Sequence, residues 1–162
     1  MNQGLVYRIK EFLSQRITSW FILALAVAGR ILQLVFFYNI RFDGSYQYIA
    51  TRNFTEGHGF SLSTVVANDL SVPVYEYLVN WPPGYSMLLA PFYALFNQNY
   101  ILAGLTLDIL AAIALIIFCR KILKILDIPV YLVNIFTLLT SFFIYYFYYI
   151  ASSDAITISL YV

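Results

Sequence analysis

A few charged residues stand where an otherwise apolar chain gives them no obvious reason to be, and each suggests a definite chemistry. Asp43 lies in the segment NIRFDGSYQYIATRNFTEGHGFS, Asn39 to Ser61, directly after an apolar run. A carboxylate partly withdrawn from water has a raised pKa and can take a proton from a hydroxyl as a general base. The same residue just before a helix caps free N–H groups, a contribution of about 0.5–2 kcal/mol. Asp154, in SSDAITISL, offers the same two uses: a second acidic site residue, or a cap shared with Ser152 and Ser153. Arg30 sits inside the run ITSWFILALAVAGRILQLVFFYNI, where an arginine at mid-helix costs about 2.5–3.5 kcal/mol on insertion scales. It must face protein, water or an anion. Asp108, similarly placed in a later apolar run, is one partner, and a lipid phosphate is the other. His58 has no neighbouring Cys or His at ligand spacing and reads as a loop residue. Cys119 sits in an apolar run and reads as packing. No glycine-rich phosphate loop, Ser-His-Asp set or nucleic-acid signature is present, so no nucleic-acid partner is expected.

The elements that position these residues follow from composition. Of 162 residues 62% are hydrophobic and only 10% charged, and the mean hydropathy is +0.78. Soluble domains carry about 25% charge, so lipid is the expected solvent for most of the chain. A crossing helix needs about 20 apolar residues, and residues 17–40, 100–119 and 130–150 satisfy this. Residues 151–162 read as an outer turn and the opening of a fourth span, as in the front part of something longer. Six basic residues (Arg8, Lys10, Arg16, Arg120, Lys121, Lys124) lie in segments 1–16 and 120–129, against Arg41 and Arg52 in 41–99. By the distribution of Lys and Arg the N-terminus is cytoplasmic and 41–99 is extracytoplasmic. The first span reads as a retained signal anchor. The expected fold is all-α and integral to a plasma or inner membrane.

The long outer segment carries pattern of its own. Tyr46, Ile49, Ala50 and Phe54 recur at helical spacing, which predicts an interfacial helix over Gly44 to Glu56, ended by Gly57 and Gly59. Leu62 to Val79 reads as irregular or short strand, with Pro73 inside it. NWPPGYSMLLAPFYALF, Asn80 to Phe96, predicts a second interfacial or half-buried helix. Tyr38, Tyr46, Tyr48, Trp81, Tyr85 and the run Tyr145 to Tyr149 read as an aromatic belt, with sugar stacking as the other use of Trp81 or Tyr85. Asn53-Phe54-Thr55 matches a glycosylation sequon.

The order of these features resembles the N-terminal part of the GT-C superfamily of membrane glycosyltransferases, the group of protein O-mannosyltransferases and lipid A aminoarabinose transferases. The residues that carry the resemblance are AGRILQLVF, FDGSYQYIATRNFTEGHGFS, NWPPGYSMLLAPFYALF, CRKIL and SSDAITISL, in that order over about residues 20 to 162. Where many relatives have two adjacent acidic residues, this chain has Asp43-Gly44. The resemblance implies three transmembrane helices and the start of a fourth, with interfacial helices in the first outer loop. It implies an enzyme of the cell envelope that takes a sugar from a polyprenyl-phosphate donor and passes it, with inversion, to a lipid, glycan or protein acceptor. Asp43 would then be the catalytic base and Asp154 a second acidic site residue. Arg52 or Arg30 would bind the donor phosphate, with Arg41 at similar depth to Arg52, and Tyr46, Trp81 and Tyr85 would contact substrate. No cofactor is fixed by the resemblance, and a divalent cation is compatible with it. Two readings from other classes fit the same sequence: a small multi-span scaffold or transport component, and a degenerate transferase that only binds a lipid phosphate.

Overall fold

A computed structural model of the chain describes residues 3–38, 42–66, 69–78 and 83–143. The elements run α1 (Gln3–Ser14), α2 (Arg16–Phe37), α3 (Phe42–Thr55), β1 (Ser61–Val66), β2 (Asp69–Tyr77), α4 (Gly84–Leu95), α5 (Tyr100–Ile125) and α6 (Val130–Phe143). By length and composition α2 and α5 can each cross a membrane. Their outward surfaces agree with this: Ile17, Phe21 and Phe36 on α2 and Leu110 and Phe118 on α5 are exposed apolar residues. The predicted third span is helical over Val130–Phe143; residues 144–150, the Tyr145–Tyr149 run and the predicted fourth-span opening lie outside the described residues.

The elements refine the sequence reading at three places. First, the segment before α2 is a helix, α1, because Leu5, Ile9 and Phe12 recur on one face at spacings of four and three. Second, α5 continues past the predicted end at residue 119 to Ile125, so Arg120, Lys121 and Lys124 are helical rather than in a connecting loop. Third, the segment read as irregular or short strand is strand, so the mostly helical fold carries one small sheet. Residues after α3 form an antiparallel hairpin, β1 against β2, with Ser61 opposite Tyr77 and Val65 opposite Pro73, and an irregularity between Val65 and Val66. Gly57 and Gly59, both at positive φ, release the chain from α3 into that hairpin.

Helices in lipid gain little from burying apolar side chains against one another, so close approach and interhelical hydrogen bonds hold them. Both are present. Ala26, Ala103 and Ala112 are buried contacts on α2 and α5. Arg120 of α5, although buried, donates from Nη1 to Thr137 Oγ1 of α6 at 3.0 Å. Its Nη2 donates to the Ser19 carbonyl of α2 at 3.2 Å and also contacts Ser19 Oγ. Ser19 Oγ in turn donates to Asn134 Oδ1 at 3.1 Å, and Asn134 Nδ2 donates to the Leu13 carbonyl at the end of α1. At the next turns Ser141 Oγ donates to the Ala26 carbonyl. One arginine of α5 thus ties α2 and α6 to its own helix, and its burial is matched by partners on both.

At the other end of α5, Asn99 caps the helix by accepting from the Leu102 N–H at 3.1 Å. There α3 and α4 pack over the helix ends. The face by which α3 docks is largely polar, apart from the apolar positions read from the sequence. Gln47, Tyr48, Ala50, Thr51 and Asn53 are buried, while Ile49 and Phe54 point outward. Ser86 of α4 donates to the Gln47 carbonyl at 3.0 Å and lies 3.4 Å from Gln47 Oε1, and Thr51 Oγ1 donates to the Gln47 carbonyl at 2.8 Å. A polar seam therefore joins α3 to α4, while Ile49 stays exposed and Phe54 stacks on Phe60 with ring centroids 4.2 Å apart.

Candidate functional site

The helix α3 carries a repeat that the apolar reading overlooked: Ser45, Ile49 and Arg52 fall at i, i+4 and i+7, one stripe of a helix. This stripe, with Tyr48 beside it, forms one wall of a groove of about 400 Å³. Tyr93 of α4 and Tyr100 of α5 complete it. Tyr48 and Tyr93 are largely buried and form the floor, while Tyr100 and Arg52 stand at the rim. The Tyr48 and Tyr100 ring centroids are 5.5 Å apart at 50°. Arg52 Nε donates to Glu56 Oε1 at 2.8 Å, an exposed pair one turn apart. Such a pair contributes about 0.2–1 kcal/mol, so the guanidinium can turn to an anion at little cost.

Beneath the floor lies a second cluster. Tyr48 and Tyr38 hydroxyls are hydrogen bonded at 2.8 Å, and the Tyr48 and Tyr85 rings meet edge to face at 6.4 Å. Asp108 of α5 is buried next to them, 3% exposed, with Arg30 of α2 within electrostatic reach. Its two oxygens accept no hydrogen bond of ordinary geometry among the described residues. Arg30, the partner named from the sequence, thus acts on Asp108 electrostatically, and its Nη1 also donates to Gln33 Oε1 at 3.1 Å, one turn along its own helix. Gly104 makes the close packing of this cluster feasible. A Cβ there would fall on both the Tyr48 and Tyr38 hydroxyls and lie 2.8 Å from Tyr48 Cζ.

Burial pushes the Tyr48 phenol up to about 12 and raises those of Tyr38 and Tyr85 well above the usual tyrosine value. For Tyr38 and Tyr85 the Asp108 carboxylate adds to the effect of burial. All three stay neutral at ordinary pH and can donate or accept a hydrogen bond, but none is a base. The Arg52 guanidinium is charged at any ordinary pH, and its hydrogen bond to Glu56 raises its pKa further.

The predicted site residues are distributed unevenly over this geometry. Arg52 lines the groove. Tyr46 is half-buried on α3 and is not one of the groove residues. Tyr85 is 3% exposed in the lower cluster, so it supports the floor and does not present a surface for stacking. Tyr38, Tyr48 and Tyr85 form a packed group rather than an exposed belt. Arg30 borders a separate small crevice with Ala112, Leu115, Ile116 and Thr140, so it does not share a site with Arg52. Asp43 is the second residue of α3, inside its first turn rather than preceding it, and two positions before Ser45. The Asp43 side chain, Arg41, Trp81 and Asp154 lie outside the described residues. Asn53 of the sequon is 3% exposed and donates to the Ser61 carbonyl at 2.8 Å, which rules it out as a glycan acceptor in the folded chain. Among the described residues no three of His, Cys, Asp and Glu converge as a metal site. No family model, curated protein or solved structure matches this chain.

Proposed function

We propose that the chain is the N-terminal part of a membrane glycosyltransferase of the GT-C kind. In this reading three transmembrane helices and the start of a fourth hold an active face outside the cytoplasm. A sugar moves there from a polyprenyl-phosphate donor to an acceptor hydroxyl. The observation that carries the reading is the groove of Tyr48, Tyr93 and Tyr100 with Arg52 at its rim, on the helix whose first turn holds Asp43. Aromatic faces suit the C–H faces of a sugar ring, and a guanidinium suits phosphate oxygens. The exposed apolar residues around the groove, Ile49, Tyr100, Ile101 and Leu102, suit the polyprenyl chain.

The chemistry assigned to these residues is a single displacement. Asp43 takes the proton of the acceptor hydroxyl, whose oxygen attacks the anomeric carbon from the face opposite the phosphate. The C–O bond to phosphate breaks, and its electron pair leaves with the polyprenyl phosphate. Arg52 offsets the charge that develops on that leaving group. The anomeric configuration inverts.

The reading is tested by donor binding to the full-length protein in lipid nanodiscs, using a panel of labelled polyprenyl-phosphate sugars. Arg52→Gln removes a charge-assisted hydrogen bond of about 1.5–3 kcal/mol and is expected to weaken binding about 10- to 100-fold. Tyr100→Ala is expected to weaken it several-fold by loss of ring contact. Binding that survives both changes, or no binding of any polyprenyl phosphate, would refute the assignment of the groove. Binding without transfer would favour a lipid-phosphate binder instead.

A further inference from the structure

At the opposite end of the helices from the groove, a cavity of about 580 Å³ opens between α2, α5 and the start of α6. Gly104, in the tyrosine cluster, and Arg120, at this cavity, are about 25 Å apart along α5 at 1.5 Å per residue, so the two features lie near opposite membrane faces. The cavity is lined by Arg16, Arg120, Lys121 and Lys124, together with Ser14, Ser19 and Trp20, and by no carboxylate. The acidic residues of the neighbouring segments, Glu11 and Asp127, are not among its lining. Arg16, Lys121 and Lys124 are exposed and form no ion pair among the described residues. Arg120 differs: its guanidinium is committed to Ser19 and Thr137, so it fixes the back wall and adds positive potential.

We propose that this cavity binds the headgroup phosphate of an anionic phospholipid. Three observations favour a lipid over a free anion. The cavity continues into apolar wall, Leu23, Ile117 and Val130, along which an acyl chain can lie. Trp20, 63% exposed at the rim, is the residue type that settles at headgroup level. Beside it α1 presents Leu5, Ile9 and Phe12 outward as an unburied apolar stripe, and no residue of α1 is buried. A helix of that kind lies in the membrane surface. Arg16 offers a fork to two phosphate oxygens, and the two lysines add point charges on the α5 side.

The test uses the full-length protein in nanodiscs, with lipids retained after extraction read by native mass spectrometry. The membranes contain phosphatidylglycerol and phosphatidylcholine in equal amounts. Wild-type protein is expected to retain phosphatidylglycerol preferentially. Each cation contributes about fivefold in a site at the membrane surface, so Arg16→Gln/Lys121→Gln/Lys124→Gln is expected to reduce that preference about 100-fold. Arg8→Gln, on α1 and outside the cavity, is expected to leave the preference unchanged. If the triple variant does not fold, the single changes at these exposed positions are each read against the fivefold expectation. Equal retention by wild type and the cavity variants overturns the proposal. Displacement of the lipid by inorganic phosphate at matched concentration also overturns it, and identifies a free-anion site.

Discussion

Gly104→Ala offers a sharp test of how the tyrosine cluster seats α3 on α5. In an isolated helix the change should stabilise by about 0.8–1 kcal/mol, because alanine is the better helix former. Here the added Cβ falls on the Tyr48 and Tyr38 hydroxyls and lies 2.8 Å from Tyr48 Cζ, so a buried ring must move. Overpacking of this kind costs about 1–3 kcal/mol. Displacement of the ring also breaks the 2.8 Å Tyr38–Tyr48 hydrogen bond, worth about 0.5–1.5 kcal/mol. Set against the helix-propensity gain, these terms leave a net loss of about 0.5–3.7 kcal/mol, localised where α3 meets α5. Hydrogen exchange of α3 amides in the detergent-solubilised protein should accelerate about 2- to 500-fold, with α6 little changed. Tyr48→Phe removes one of the two clashing hydroxyls, so Gly104→Ala should cost at least 1 kcal/mol less in that background. A neutral or stabilising Gly104→Ala, or an equal cost with and without the Tyr48 hydroxyl, would refute the packing argument.

Alkaline pH should loosen the same cluster. An unfolded tyrosine ionises near pH 10, whereas Tyr48 is pushed up to about 12, so stability is intact below about pH 10 and falls above it by about 1.4 kcal/mol per pH unit. Tyrosinate absorbance recorded with α3 exchange checks this, and ionisation of Tyr48 at pH 10 with α3 still docked would contradict it. Arg120→Leu strands the Ser19 and Thr137 oxygens and should destabilise the α2–α5–α6 contact by about 2–4 kcal/mol, read as thermal denaturation. Arg120→Lys should not restore it, because a single ammonium cannot reproduce the fork. Asn53→Ala leaves the Ser61 carbonyl without its donor, and limited proteolysis should cut the β1–β2 hairpin faster.

Much of the chain was legible because lipid imposes a simple code. Runs of about 20 apolar residues marked α2 and α5, and Asp108 and Arg30, costly in such runs, proved to be buried near one another. The ends were less legible. Arg120 ended the predicted span because a charge usually leaves the hydrocarbon, yet the hydrogen bonds it donates to Ser19 and Thr137 keep it inside a continuing helix. The charges of α1 masked the Leu5, Ile9, Phe12 stripe between them. The hairpin was half legible: Leu62 to Val79 reads as irregular chain or short strand, because two strands with Pro73 in one of them show no clean alternation. On α3 the apolar positions marked an interfacial helix, and Ile49 and Phe54 are exposed, but the polar seam by which Gln47 and Thr51 dock against Ser86 left no signal in the sequence. The groove tyrosines were missed for a related reason. Tyrosine is so common at membrane surfaces that only the fold distinguishes Tyr48, Tyr93 and Tyr100, which converge, from an ordinary belt.

The proposed function stands or falls most directly on Asp43. The decisive measurement is sugar transfer from labelled polyprenyl-phosphate donors by the full-length protein in nanodiscs, comparing wild type with Asp43→Asn. Loss of the general base is expected to lower the transfer rate about 10²- to 10⁴-fold, while donor binding and the exchange protection of α3 stay within about twofold of wild type. Transfer by Asp43→Asn at the wild-type rate would contradict the account.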